Sequence, residues 1–366
     1  MGNLYRASRQ WANRPDDERF GTIQEAYEAT RSYALAAKEE TVQTETFGIT
    51  RDSEDNLCLS YGGGSSATLT NWAFKQICGF AGAPVGYLQT LPGELATRNL
   101  AHGLHQMANT EKEALVHRNG TTVLRSLTSN RYKRIWNYNV LEHLLDAPSK
   151  GWKTPPAMDK AERPSGIYAS DHDMFVFMVN DEYRVDDGSD GGLGRGFFVS
   201  NSEVGAASLR ITSFLYRYVC GNHIVWGARD VSDIKMRHVG NIHSAFDVEI
   251  AQFMRASKVS ARDDEELIKR AKFRILGESD EEVLATVFRA LTGSTRKGKP
   301  KALPQGVSQG ILDKAYIAAK QFEAIDGNPR SVWGFVNGLT RVSQGAYADI
   351  RTAIDSATKN LLAIAA

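Results

Sequence analysis

The spacing of apolar residues changes twice along this chain of 366 residues, and each change limits what a segment can fold into. Up to about residue 110 apolar positions recur every three or four residues, broken by one β-rich stretch. From Gly120 they alternate with a period of two, and from about Asn241 the helical spacing returns and holds almost to the end. A period near 3.6 sends one stripe of a helix into a core; a period of two sends one face of a strand there. The order predicts an α+β fold with N-terminal helices, a central twisted antiparallel sheet and a C-terminal helical array. Four regions follow: a flexible arm over 1–20, a helical region with a β-hairpin over 21–110, the sheet over 111–240, and helices over 241–366.

Local signals place the elements. Thr22–Gln43 is rich in Ala and Glu with no Gly or Pro, which predicts one helix. Phe47–Tyr61 reads as a hairpin around Asp52–Asn56, and Gly62–Ser66 as a flexible joint. Helices are expected over Thr68–Gly82, from Pro84, and over Glu94–Met107. Strands are expected at Thr121–Leu127, Phe175–Val179, Gly196–Ser202 and Ser208–Val219, the last two joined by a turn on Gly205.

Composition narrows the setting. No apolar run reaches the roughly 18–20 residues of a membrane span, and the first residues lack the apolar stretch of a secretory signal. Three cysteines (Cys58, Cys78, Cys220) are too few and too scattered for a disulfide framework. We therefore expect a cytoplasmic protein with no membrane partner. Formal net charge is only +1, but charge is segregated. His117–Gly166 holds nine Lys or Arg against four acids, whereas Asp171–Asp190 holds seven acids and one Arg.

The strand Ser208–Val219 carries the most chemical information. Leu209, Ile211, Ser213 and Leu215 would face a core; Arg210, Thr212, Phe214, Tyr216 and Tyr218 share the opposite face. Rings interleaved with Arg suit single-stranded nucleic acid, where bases stack at about 1–3 kcal/mol each while cations follow phosphates. Covered by the C-terminal helices, the same rings would be core. A second candidate is Ser129–Tyr138, with Arg131, Tyr132, Lys133, Arg134 and Trp136, leading into a helix over Val140–Asp146; Arg125 precedes it in the same basic tract. A third is the loop containing Arg296, Lys297 and Lys299, a phosphate clamp or a solvated loop. Thr68–Leu91 has helix-turn-helix spacing, but Pro84–Gln89 offers few base-reading side chains. Cys220, His223, His238 and His243 are zinc-ligand types, though the single Cys departs from the usual two-Cys half. There is no phosphate-binding loop, nucleophile elbow or His-Glu-x-x-His, so neither catalytic residue, metal nor cofactor is expected.

Several segments together resemble a known family. They are Leu69–Phe74 with Gln76, Pro84, Tyr87, Leu88, Leu91 and Pro92; Leu124–Leu127 with Asn130, Arg131 and Tyr132; Phe198–Gly205 with Arg217, Val219 and Cys220–Asn222; and Ser331–Gly334 with Asn337–Thr340 and Arg351, together covering roughly residues 45–360. The combination resembles the phage- and plasmid-like proteins that hold the domain of unknown function nine-three-two. It departs after Arg131-Tyr132, where Ile135-Trp136-Asn137 stands in place of an expected Asp-Asn. A twisted hairpin followed by a long helix is also similar to the Rad fifty-two superfamily of strand-annealing proteins. The family supplies no settled activity to carry over. The residues point to a non-enzymatic protein of phage or plasmid DNA metabolism that binds single-stranded DNA as a homo-oligomer. Two alternatives stay open: a module that binds a host or phage protein, and a metal-dependent nuclease using Asp171, Asp173 and Glu203.

Overall fold

A computed structural model describes residues 16–154, 166–187, 192–217, 224–226, 234–240, 245–250, 261–292, 302–304, 306–343, 354, 357–358 and 360–365. It holds two sheets and a set of C-terminal helices, the mixed α+β class that the two periods predict.

The N-terminal sheet has six strands in the order β2-β6-β7-β5-β4-β3. These are β2 (Ala37–Gln43), β3 (Gly48–Arg51), β4 (Leu57–Tyr61), β5 (Ser65–Leu69), β6 (Glu111–Asn119) and β7 (Thr121–Thr128). Pairing is antiparallel except between β5 and β7, where Thr68 lies opposite Val123 in parallel register. Helices α2 (Asn71–Phe80) and α4 (Gly93–His105) close one face, burying Ile77 and Leu100 against Leu59, Val116 and Leu124. Each such side chain contributes about 1.5–3 kcal/mol of burial. Between these helices α3 (Val85–Leu88) is a single turn.

Three sequence readings need correction here. The helix expected over Thr22–Gln43 is α1 (Ile23–Leu35), capped by Thr22, and the remainder is β2. Ala37–Gln43 pairs residue for residue with Glu111–His117, so a tertiary ladder overrides the local helix preference of Ala and Glu. Gly62–Gly64 is a tight turn between β4 and β5, with φ of 57° at Gly62 and 76° at Gly63, rather than a joint. Finally, β6 and β7 belong to this sheet, so a boundary at residue 110 cuts through it.

The central sheet runs β1-β9-β10-β11-β12-β13, with β8 beside β10 and β14 beside β12. Its strands are β1 (Arg19–Phe20), β8 (Trp152–Lys153), β9 (Ile167–Ala169), β10 (Met174–Val185), β11 (Leu193–Asn201), β12 (Leu209–Arg217), β13 (Ile224–Trp226) and β14 (Ile234–Met236). Ile167, Val176, Phe197, Val199, Leu209 and Ile211 form the inner face, packed with α1 and with α5 (Asn137–Glu142), which is shorter and earlier than the Val140–Asp146 helix expected. The C-terminal helices are α6 (Ala261–Phe273), α7 (Asp280–Thr292), α8 (Gln309–Gln321), α9 (Glu323–Asp326) and α10 (Val332–Ser343). Their core includes Trp333, Phe335 and Leu339 and takes in Val185, Leu193 and Leu215 at one end of β10–β12. Helix α10 approaches α8 so closely that a Cβ on Gly338 would stand 2.0 Å from the Ala315 carbonyl oxygen. The opposite end of β11 and β12, where Asn201 leads into the turn at Gly205, is where the polar residues gather.

Candidate functional site

The site begins with an irregularity in β7. Leu115 pairs with Ser126 but Val116 pairs with Leu124, so Arg125 is an extra residue in a β-bulge. A bulge re-aims the side chain it carries. Arg125, 1% exposed, leaves its own sheet and reaches the central one. Its Nη2 donates to Glu203 Oε2 at 2.8 Å and to the Asp171 carbonyl at 2.8 Å, and Nε donates to that carbonyl at 3.3 Å. The Tyr33 ring lies 4.5 Å from the guanidinium, and His117 stacks on Tyr33 at 4.1 Å. Burial, and after it the Arg125 charge, push the His117 imidazole below its ordinary pKa. Burial raises the Tyr33 phenol. A hydrogen bond from His172 holds the Asp171 carboxyl below its usual range.

Glu203 is a hub. While Oε2 takes Arg125, its Oε1 accepts the Asn137 N–H at 2.8 Å and its carbonyl accepts from Arg134 Nη1. Arg134, 6% exposed, also donates from Nε to Glu39 of β2 at 2.7 Å. The neighbours of Glu203 are tied as firmly. Tyr132 donates its hydroxyl to the Ser202 carbonyl at 2.8 Å, and Trp72 Nε1 donates to the Val204 carbonyl at 3.0 Å. Asn201 Nδ2 donates to the Ile135 carbonyl and to Asn137 Oδ1. Loop 129–137 thus hangs from the turn after β11, and both are braced by the N-terminal sheet. Burial raises the Tyr132 phenol well above its ordinary pKa.

Beside this knot runs a strip of open charge. In the central sheet Phe175, Ser200, Arg210 and Lys235 stand in register on adjacent strands, so they share the face opposite the core. Lys235 and Arg237 are exposed and Arg210 is half-buried. One residue past Arg237, the His238 carbonyl accepts the Lys133 N–H at 2.7 Å, and the His238 ring stacks on Tyr132 at 4.9 Å. That contact brings loop 129–137 alongside β14 and adds exposed Arg131 and Lys133 to the strip. None of Arg131, Lys133, Arg210, Lys235 and Arg237 forms an ion pair among the described residues. With strands about 4.8 Å apart and about 3.3 Å of rise per residue, the five span roughly 20 Å. Tyr132 and Trp136 in the loop are partly exposed.

The structure redistributes the residues singled out from sequence. Arg131, Lys133 and Arg210 fall on the strip, with Tyr132 and Trp136 at its border. Arg125 and Arg134 do not: both guanidinium groups are buried and bonded to acidic or carbonyl groups, so in this structure they are not presented to a ligand. Phe214 and Tyr216 lie in β12 opposite Gly196 and Gly194, towards the helical end of the sheet. On the sheet face that carries Arg210, Tyr168, Phe175, Phe177, Val179 and Thr212 are buried, while Ser200, Phe198 and Arg210 are partly exposed. Tyr218, Arg296, Lys297 and Lys299 lie outside the described residues, as do Cys220, His223 and His243; His238 is buried against Tyr132. The single turn of α3 is too short to serve as a recognition helix. Of the three acids considered for a metal, Glu203 is held by Arg125, and Asp171 and Asp173 both lie against His172. Among the described residues no three metal-ligating side chains converge.

Sequence reasoning missed Lys235 and Arg237, although Ile234-Lys235-Met236-Arg237 alternates apolar and cationic residues as a half-buried strand does. It also took Glu203 for part of an ordinary hairpin turn.

A family described as "Domain of unknown function (DUF932)" matches residues 126–346. No curated protein and no solved structure matches the chain, so the likeness to strand-annealing proteins gains no support. Among the described residues no helix is long and apolar enough to cross a membrane. The family match begins one residue after Arg125, takes in loop 129–137, the Glu203 turn, β12, β14 and α10, and covers more than half of the sequence. On that extent the chain belongs to the DUF932 family.

Proposed function

We propose that the protein binds single-stranded DNA through its sugar-phosphate backbone, without chemistry, at the strip formed by Arg131, Lys133, Arg210, Lys235 and Arg237. The observation that carries this reading is the convergence of five cations, none ion-paired among the described residues, from three chain segments. Other exposed cations are either paired, as Arg118 is with Glu40 and Arg98 with Glu94, or unpaired among the described residues on separate elements, as Lys75 and Lys314 are; what sets the strip apart is that its cations lie side by side. A row of unpaired cations is a field that attracts phosphates, and displacing their counterions drives binding. The partly exposed ring of Trp136, backed by the Arg134 guanidinium, suits an unstacked base, and the strip offers no helix to a major groove. Resemblance to phage- and plasmid-borne proteins fits a role in protecting or annealing such strands, with several copies along one strand and in the cytoplasm. Gel shifts with matched single- and double-stranded oligonucleotides of several sequences test the reading. Tighter retention of single strands, indifferent to sequence, is expected; retention of neither form removes it.

A further inference from the structure

The strip is assembled from two halves. Arg210, Lys235 and Arg237 are set by strand pairing in the central sheet, whereas Arg131 and Lys133 sit on a loop with no strand of its own. What fixes that loop is the turn after β11. Glu203 Oε1 holds the Asn137 N–H, the Glu203 carbonyl holds Arg134, and the Ser202 carbonyl holds the Tyr132 hydroxyl. Arg125 and Trp72 of the N-terminal region hold the turn in place from the other side.

A buried ion pair is a weak source of stability, because desolvation offsets most of the attraction. The knot around this pair also leaves Arg125 Nη1 and Arg134 Nη2 buried with no hydrogen-bond partner among the described residues. Its return is geometric: a charged group with several fixed partners permits one arrangement of the elements it joins. Resting on the nucleic-acid reading above, we propose that Glu203 is a positioning residue. It aligns Arg131 and Lys133 with Lys235 and Arg237, so that the N-terminal sheet, acting through Arg125, sets how many phosphates the strip engages.

The test uses the full chain and a labelled oligothymidylate of about 16 nucleotides, the upper end of common single-strand site sizes. Affinity is read at several salt concentrations. Each backbone contact contributes about −0.7 to the slope of log K against log salt, so five contacts give about −3.5. Glu203→Gln, which keeps the shape of the hub and removes its charge, is expected to bring the slope to about −2, as if two contacts were lost. In that background Arg131→Ala with Lys133→Ala should change it no further, whereas in the parent chain the same pair should remove about 1.4. If the pair still removes its full share from the Glu203→Gln protein, the loop is in place without Glu203 and the proposal is overturned. Should Glu203→Gln fail to fold, Tyr132→Phe deletes only the hydroxyl that ties the loop to Ser202, and it is read the same way. A parent chain with no salt-dependent binding would instead remove the reading on which this rests.

Discussion

Arg125 and Arg134 differ from Arg131 and Lys133 in almost everything except sequence neighbourhood. All four come from one basic tract in which nothing local separates them. The first two are buried, each held by a carboxylate and a carbonyl oxygen; the second two are exposed and free of ion pairs among the described residues. Charge in a tract therefore says little about what a given cation does. Its partner decides. Arg125 is turned towards Glu203 by a one-residue bulge, and Arg134 lies between Glu203 and Glu39, so both work as joints between sheets. Arg131 and Lys133 stand exposed, where the DNA strand of the proposed function would meet them.

The comparison makes opposite demands on mutants. Glu203→Ala strands the Arg125 charge and the Asn137 N–H in a buried site. It should lower unfolding free energy by about 3–5 kcal/mol in urea titration, and a change near zero would mean the knot is not a joint. Next in size, Arg210→Ala, Lys235→Ala and Arg237→Ala together should leave stability nearly intact while the salt slope for an oligonucleotide falls from about −3.5 to about −1.4. Trp72→Phe removes one donor, to the Val204 carbonyl, and should cost about 1 kcal/mol; with Glu203 still holding the turn, it should change that slope by less than one contact, about 0.7. At the small end, Arg131→Ala with Lys133→Ala should change stability by no more than about 0.5 kcal/mol, because neither side chain has an ion-pair partner to lose.

The knot also has a pH signature. Burial raises the Tyr132 phenol above its unfolded value of about 10. Its contribution is therefore fully present below pH 10 and is lost as pH rises through the folded pKa. Tyr132→Phe should flatten the alkaline limb of the stability curve; an unchanged limb would mean the phenol titrates alike in both states.

Much of the fold was legible because it rests on period. The alternation in Ser208–Val219 places Leu209, Ile211 and Leu215 in the core as expected, and the hairpin at Phe47–Tyr61 forms around its Asp-rich turn. The residues that carried the family resemblance turn out to be the connectors. Thr70 caps α2, Gln76 bonds both the N–H and the carbonyl of Leu127, Trp72 reaches Val204, Gly334 admits the Asn328–Pro329 backbone, and Gly338 lets α10 close on α8. What stayed hidden is non-local. β2 needs β6 beside it to be a strand, and Arg125 needs a bulge that no local pattern announces. Lys235 matters only because β14 folds back beside Arg210 and delivers His238 to Lys133. Such facts belong to pairs of distant segments, and a pass along one chain does not see them.

The most direct measurement is the affinity of the intact protein for a single-stranded oligonucleotide across a range of salt concentrations, beside the Arg210→Ala, Lys235→Ala, Arg237→Ala protein. The account predicts a steep line for the first and a shallow one for the second, differing by about two in slope. Equal slopes, or no binding by either protein, would contradict it.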